Sequence, residues 1–291
     1  MSSLAPAIVI PVHRGTPTQA EAASLSQLVK VLGTFPICLV APESLNPAAY
    51  QKIAPGLDIR HFEDLWFRDF RSHQKLMISR QFYERFSHFS HMLIYHLDSW
   101  VFRDDLLHWC MAPYDYIGAP WRSGFDEIGH PVFPFAGNGG FSLRRIPAML
   151  ETLSLFNHRR YRSGAELIRE LRYRDGFSRL RHLLSLPLKL CGIRNSLKHF
   201  HDSYVWTEDK FWAYSAVLAN PEFRVAPVDV AKRFAFEASP QWLYEDLQRT
   251  LPFGCHAWRY EQAFWCEKIG LPRDQDFRPH NEDGIPLSRE S

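Results

Sequence analysis

The sequence predicts an α/β fold built around a mostly parallel sheet. Two short apolar runs near the N-terminus, residues 7–12 and 36–40, have the length and composition of buried strands. Between them, residues 19–33 place leucine and valine side chains at helical spacing and end on Gly33, which is typical of a helix terminus. A strand, a helix and a strand in this order favour a parallel sheet with a ligand crevice beyond the carboxyl ends of its strands.

Composition narrows the class of protein. The 291 residues are 46% hydrophobic and 23% charged, as expected of a globular chain. They contain no run of about 18 apolar residues, the length that a membrane-spanning helix needs, and the first residues lack the charged segment of a signal peptide. The five cysteines form no CxxC pair, so they predict neither a zinc site nor a disulfide framework, and we expect a cytoplasmic location. Neither GxGxxG nor GxxxxGK[ST] follows the first strand, which argues against a dinucleotide-binding fold and a P-loop.

The first functional candidate lies in HMLIYHLDSWVF, residues 91–102. Residues 92–95 predict a strand that is buried on both faces, and Asp98 follows its carboxyl end. A carboxylate at this position can hold a hard cation that carries phosphate oxygens. The alternative is an aspartate that caps the following turn.

Other patterns complete the predicted order of elements. Ser72 is expected to be the N-cap of a helix over 73–86, in which Ile78, Phe82 and Phe86 share one face. The remaining predicted elements are a strand at 57–61, a helix at 104–111, a strand at 114–120, a loop at 122–136 and a late strand at 223–228.

Glycine is most concentrated in GNGGFSLRR, residues 137–145. Three glycines around Asn138 permit positive φ angles and a close approach of the backbone to a ligand. The alternative is a tight turn before a strand. We favour a functional loop, because turns seldom need three glycines.

A basic segment follows at 158–201. It holds eleven lysine and arginine residues against three acidic residues, which gives +8 within a chain of net charge +2. Leucines at helical spacing predict one or two amphipathic helices inserted in the main fold. A solvated helical hairpin, a surface for anionic lipid head groups and a nucleic-acid arm are all compatible with the charge; the third needs more interleaved aromatic residues than are present, so no nucleic acid is expected.

Two further candidates lie near the C-terminus. Thr207 predicts the start of a helix with Glu208 and Asp209 in its first turn, where the helix dipole favours acids whatever the function. His256, in LPFGCHAW, follows a glycine and can reach the ligand edge of the sheet, or it can be a structural histidine. The polar tail at 273–291 is expected to be poorly ordered.

The order of these motifs resembles a known family. AIVIP, KLMISRQFYERF, LIYHLDSWVF, YDYIGAPW, GNGGFSLR, TEDKFW and LPFGCHAW occur in the order of the uncharacterised domain-of-unknown-function 5672 family. That family looks like glycosyltransferases of the GT-A fold. The resemblance spans residues 7–265 and implies a three-layer α/β/α domain over 1–272 with the basic segment as a helical insertion.

The resemblance also implies roles for individual residues. Asp98 stands where these enzymes have an Asp-x-Asp that binds Mn²⁺ or Mg²⁺ and the nucleotide diphosphate, but no second aspartate lies two residues away. His256 matches a histidine that adds to the metal, and Glu208 and Asp209 match the acidic pair that supplies the base. The residues implied in donor binding are Pro11, Asp98, Ser99, Asn138, Gly139 and Gly140.

The leading hypothesis is therefore a glycosyltransferase that moves a sugar from a nucleotide-diphosphate donor to a hydroxyl of a bacterial surface glycan or lipid-linked precursor, with inversion. Trp121 and Trp212 are expected to help align the reactants. The alternative is a non-catalytic carbohydrate-binding or scaffold protein on the same fold; a nucleotidyltransferase ranks third, because the early phosphate loop is missing. An anionic membrane surface contacting 158–201 would make the protein peripheral on the inner face of the membrane.

Overall fold

The computed structural model describes residues 4–156, 164–169 and 176–271. The strands are β1 (Pro6–Pro11), β2 (Ile37–Pro42), β3 (Asp58–Phe62), β4 (His91–Tyr95), β5 (Trp100–Val101), β6 (Tyr116–Gly118), β7 (Pro120–Trp121), β8 (Gly124–Phe125), β9 (Pro131–Val132), β10 (Phe135–Ala136), β11 (Phe141–Arg145), β12 (Ala235–Phe236) and β13 (Gly254–Cys255).

The helices alternate with these strands along most of the chain. They are α1 (Gln19–Leu32), α2 (Ala48–Ile53), α3 (Phe70–Met77), α4 (Arg80–Glu84), α5 (Leu106–Cys110), α6 (Ile146–Leu155), α7 (Gly164–Arg169), α8 (Gly176–Leu190), α9 (Leu197–Asp202), α10 (Glu208–Lys210), α11 (Ala216–Ala219), α12 (Val228–Phe234), α13 (Pro240–Asp246) and α14 (Gln262–Ile269). A π-helical turn over Phe211–Ser215 joins α10 to α11.

The main sheet has six strands in the order β3-β2-β1-β4-β11-β6. The pairs among β3, β2, β1 and β4 are parallel, and β11 is antiparallel to both of its neighbours. The prediction of a mostly parallel α/β sheet is confirmed. Because β11 runs against β4, the loop that leads into β11 lies at the edge where β4 ends.

Alternate residues of the central strands enter two different cores, which gives the fold three layers. Leu93 and Tyr95 of β4 pack with the leucines of α1, whereas Met92 and Ile94 pack with Phe82 of α4 and its neighbours. Both cores exclude water, so β4 is buried on both faces as predicted.

The predicted helix over 73–86 is two helices, and the prediction of Ser72 as its N-cap is wrong. Asp69 caps α3, and its carboxylate accepts a hydrogen bond of 2.7 Å from the backbone N–H of Ser72. A second cap follows at Ser79, whose hydroxyl accepts from the N–H of Phe82 and starts α4. Two polar caps that lie ten positions apart thus divide a segment whose apolar period is continuous.

Two other expectations need correction. Residues 223–228 form a single bridge between Val225 and Tyr116 rather than a strand, because Pro227 precedes the first turn of α12. The loop predicted at 122–136 contains the β8–β9 hairpin, and β10 pairs with β7 at its end.

The described part of the basic segment contains α7, α8 and α9, which are three helices where one or two were predicted. Residues 158–163 and 170–175 of this segment, and the predicted tail 273–291, lie outside the described residues. Among the residues that the structure describes, we find no helix with the length and apolar character needed to cross a membrane.

Candidate functional site

The carboxyl end of β4 and the glycine loop meet at one edge of the sheet. The backbone N–H of His96, directly after β4, donates to the carbonyl of Gly140 at 2.8 Å. The hydroxyl of Ser99 donates to the same carbonyl at 3.2 Å and is fully buried. Ser99 therefore holds the glycine loop against the carboxyl end of β4.

Three side chains converge at this edge with the spacing of a metal site. One ligand atom from each of His96, Asp98 and His256 lies within 4.8 Å of the others. His256 Nε2 is 3.3 Å from Asp98 Oδ1, and the two side chains keep 14% and 21% of their surface exposed. The group is thus partly sheltered and open on one side.

The two histidines carry different charges because their neighbours differ. Burial alone would lower the pKa of His256, but the carboxylates of Asp98 and Glu237 outweigh it and raise the pKa to about 10. Burial and the nearby His256 lower the pKa of His96 to about 3. Burial would raise the pKa of Asp98, but the imidazolium of His256 holds it below its usual range. In this arrangement His96 is a neutral imidazole with a lone pair to share.

Glu237 holds the other side of the His256 ring. Its Oε1 lies 3.4 Å from His256 Nδ1 and accepts a hydrogen bond of 2.8 Å from Asn138 Nδ2. Asn138 Oδ1 in turn accepts from the backbone N–H of Gly140 at 3.1 Å. This chain of contacts fixes the ring with Nε2 directed at Asp98, the orientation that a metal ligand requires.

The glycines of the loop are needed mainly because side chains of other elements lie close to the loop backbone. Only Gly137 of the three has a positive φ, at 133°. A Cβ on Gly140 would lie 2.6 Å from Cε1 of His256 and closer still to two other ring atoms. A Cβ on Gly139 would overlap the carboxylate of Glu208 and lie 3.1 Å from Cβ of Asp209. Since consecutive Cα atoms are about 3.8 Å apart, the loop brings Asp209 and the His256 group to neighbouring positions.

Glu208 and Asp209 have different surroundings. The two carboxylate oxygens of Glu208 lie 3.0 Å and 2.9 Å from one guanidinium nitrogen of Arg144, and both side chains are buried. Burial raises the pKa of Glu208 although Arg144 favours its charged form. Arg144 also donates to Tyr83 Oη at 3.0 Å. Asp209 is half-buried beside the loop, with Oδ1 accepting from the N–H of Lys210.

The other candidates lie at several depths. Pro11 ends β1 at the same edge of the sheet and is half-buried. Trp121 is half-buried and stacks on Tyr214 with 5.5 Å between ring centroids. The expectation that Trp212 aligns a reactant is wrong: its ring is completely buried, and its N–H donates to the carbonyl of Met77.

The family described as "Protein of unknown function (DUF5672)" matches residues 56–256, more than two thirds of the chain. The chain belongs to this family. The resemblance inferred from the motifs is therefore confirmed, and the match includes both Asp98 and His256. A search of curated proteins gives no match for this DUF5672 protein.

Solved structures with a similar fold include several glycosyltransferases. Mouse xyloside xylosyltransferase 1 in its apo form is 11% identical with a TM-score of 0.48, over 87% of this chain and 97% of that one. The galactosyltransferase LgtC, solved with donor and acceptor sugar analogues, is 12% identical with a TM-score of 0.44, over 91% and 94% of the two chains. GlyE of Streptococcus pneumoniae is 12% identical with a TM-score of 0.45, over 94% of this chain and 62% of that one. The activities in these names belong to those three proteins and are not assigned to this chain by the similarity.

Three residues of the DUF5672 site were missed by sequence reasoning. His96 stands two residues before Asp98, which is the spacing of the two aspartates in Asp-x-Asp, and this spacing could have marked it as a ligand. Glu237 has no local signal, since it meets His256 only through the parallel register of β12 on β13. Arg144 has no signal of its own in the sequence, and only the burial of β11 reveals it as the partner of Glu208.

Proposed function

We propose that this protein is a nucleotide-sugar-dependent glycosyltransferase that inverts configuration at the transferred sugar. The single observation that carries the proposal is the position of Gly139 and Gly140. They lie between Asp209 on one side and His256 with Asp98 on the other. A proton acceptor and a phosphate-binding group are thus within the span of one nucleotide sugar.

The residues at the edge of β4 fit a divalent cation. His96 and Asp98 would supply an imidazole nitrogen and a carboxylate oxygen. His256, which Glu237 supports at Nδ1, would supply a second imidazole nitrogen after its Nε2 proton is released to solvent. Imidazole ligands suit Mn²⁺ better than Mg²⁺, which prefers oxygen and water. When bound, such a cation would neutralise charge that develops on the leaving diphosphate.

Asp209 is our candidate for the general base. In the proposed reaction the acceptor hydroxyl oxygen attacks the anomeric carbon, its proton passes to the Asp209 carboxylate, and the bond from that carbon to the diphosphate breaks. Such assistance contributes roughly 10²–10⁴-fold to the rate. Glu208, which the resemblance offers as the alternative base, is bound to Arg144, so we assign it the role of holding α10 and the loop in place.

The remaining polar groups position the loop. Asn138 links the N–H of Gly140 to Glu237, and Ser99 holds the Gly140 carbonyl. In this proposal the donor diphosphate lies over Gly139 and Gly140, with Pro11 at the nearby end of β1. The acceptor is a hydroxyl of a surface glycan or a lipid-linked precursor, and the protein works on the inner face of the membrane.

Donor hydrolysis tests this proposal without knowledge of the acceptor. Wild-type protein, Asp98→Ala, Asp209→Asn and the control Asp104→Asn, an exposed carboxylate elsewhere, are incubated with a panel of nucleotide sugars and Mn²⁺. We expect hydrolysis by the wild type and the control and a loss of at least about 100-fold in the other two, with unchanged circular dichroism. Full activity of both site variants would remove the assignment.

A non-catalytic carbohydrate-binding or scaffold protein is the second candidate. It is favoured by the ion pair of His256 with Asp98, which satisfies these side chains with each other. Titration of UDP, GDP, CMP and dTDP with and without Mn²⁺ separates the two candidates. Binding of one nucleotide supports the transferase, whereas no binding under any of these conditions supports the scaffold.

A further inference from the structure

Helix α8 in the basic segment is oriented with its apolar face outward. Leu184 is 73% exposed and Leu180 is 53% exposed, although leucines on an amphipathic helix normally face the core. The large apolar side chains that share this exposed surface are Leu180, Leu183, Leu184, Leu188, Leu190 and Ile193. We call these six residues the leucine face.

Polar contacts on the opposite side hold α8 in this orientation. His182 is only 3% exposed, and its Nε2 lies 2.9 Å from the carbonyl of Leu167 in α7. Lys189 Nζ lies 3.3 Å from His182 Nδ1, and the Lys189 carbonyl accepts a hydrogen bond from Asn195 Nδ2. The helix thus buries part of its polar side and presents the leucine face to its surroundings.

The sequence of α8 and of the residues that follow it is basic. Residues 176–201 contain five lysine and arginine residues and no aspartate or glutamate. A cavity of about 160 Å³ opens beside the C-terminal end of α8, and its ionisable lining residues are Lys189, Arg194 and His199. Leucines flanked by cations, next to a cationic cavity, match the two parts of an anionic lipid, its acyl chains and its phosphate.

We propose that the leucine face of α8 docks this protein on an anionic lipid bilayer. The leucines enter the boundary between head groups and acyl chains, Arg179 and Arg181 lie at the phosphate level, and the cavity lined by Lys189 and Arg194 receives a head group. A second copy of the chain is a weaker candidate, because two such patches would bring the exposed Arg179, Arg181 and Arg194 of both copies together. This inference is independent of the proposed transferase activity.

The chain supplies its own reporter for a direct test. Cys191 follows α8 and is exposed, whereas Cys38, Cys110, Cys255 and Cys266 are buried. An environment-sensitive fluorophore attached to Cys191 is mixed with vesicles of phosphatidylcholine alone or of phosphatidylcholine with 30 mol% phosphatidylglycerol. We expect a blue shift with the anionic vesicles, weaker in 0.5 M NaCl, and none with phosphatidylcholine alone.

Matched substitutions separate binding through the leucine face from non-specific hydrophobic binding to vesicles. Leu184→Asp is compared in vesicle co-sedimentation with Leu107→Asp, which alters an exposed leucine on α5. We expect Leu184→Asp to weaken partitioning about tenfold or more and the control to bind as the wild type does. A native melting temperature for both variants shows that the fold is retained.

Three results would overturn the proposal. They are no binding of the wild type to anionic vesicles, equal binding of Leu184→Asp and the wild type, or a dimer in light scattering that Leu184→Asp dissociates while vesicles bind neither protein. The third result would make the leucine face an interface between copies of the chain. Inactivity toward every nucleotide sugar would leave the vesicle result unaffected.

Discussion

Neighbouring carboxylates at the start of α10 offer the sharpest test of the site. Glu208→Gln and Asp209→Asn each replace a carboxylate by an amide of the same size. Glu208 is 6% exposed and paired with the completely buried Arg144, whereas Asp209 is half-buried at the loop. The two changes should therefore affect different properties of the protein.

The cost of Glu208→Gln follows from the charge that it leaves behind. Removing one partner of a buried ion pair costs about 3–5 kcal/mol, because the remaining charge is uncompensated. Glutamine can still accept one hydrogen bond from Arg144, so we expect the lower end, about 3 kcal/mol. In a chain of this length that corresponds to a fall in melting temperature of roughly 5 °C. For Asp209→Asn we expect a change within about 0.5 kcal/mol, since no buried partner is lost.

Urea unfolding at pH 8, followed by tryptophan fluorescence, measures the change in the free energy of unfolding for both variants. Donor hydrolysis is measured on the same samples. Asp209→Asn should lose hydrolysis by about 10²–10⁴-fold while it unfolds as the wild type does. Arg144→Met combined with Glu208→Gln should recover part of the stability, because the unpaired charge is gone. A Glu208→Gln variant as stable as the wild type, or an Asp209→Asn variant as unstable as Glu208→Gln, would refute this division of roles.

Three further changes test the loop, the support of His256 and the acid stability. Gly140→Ala should weaken Mn²⁺ binding at least about tenfold in calorimetry, since its Cβ overlaps the His256 ring, while the control Gly56→Ala, with open space around it, should bind normally. Glu237→Gln should reduce Mn²⁺ affinity about 10–100-fold with an unchanged fold; an unchanged affinity would remove its supporting role. Burial lowers the pKa of His91 from 6.5 to about 4, so unfolding takes up a proton in this range and stability falls as the pH falls through it. The wild type should lose about 2 kcal/mol more than His91→Gln between pH 7 and pH 5 in urea titrations, and equal losses would contradict the assignment.

Much of the fold followed from local patterns in the chain. The apolar run before Asp98 has the length and composition of a strand buried on both faces, and the helix between the first two strands made a parallel pair the simplest connection. The motifs from AIVIP to LPFGCHAW indicated the family, and their positions after strands drew attention to Asp98, the glycine loop and His256. These features are local, so the sequence was sufficient to find them.

Tertiary structure decided what local patterns left open. The partner of Glu208 depends on which side of β11 Arg144 faces, and the contact of Glu237 with His256 depends on the register of two short strands far apart in the chain. The charge of the basic segment was readable from its composition, whereas the outward orientation of its leucines depends on tertiary contacts such as those of His182 and Lys189. Periodicity gives the faces of an element, while the choice of which face is buried belongs to the elements packed against it.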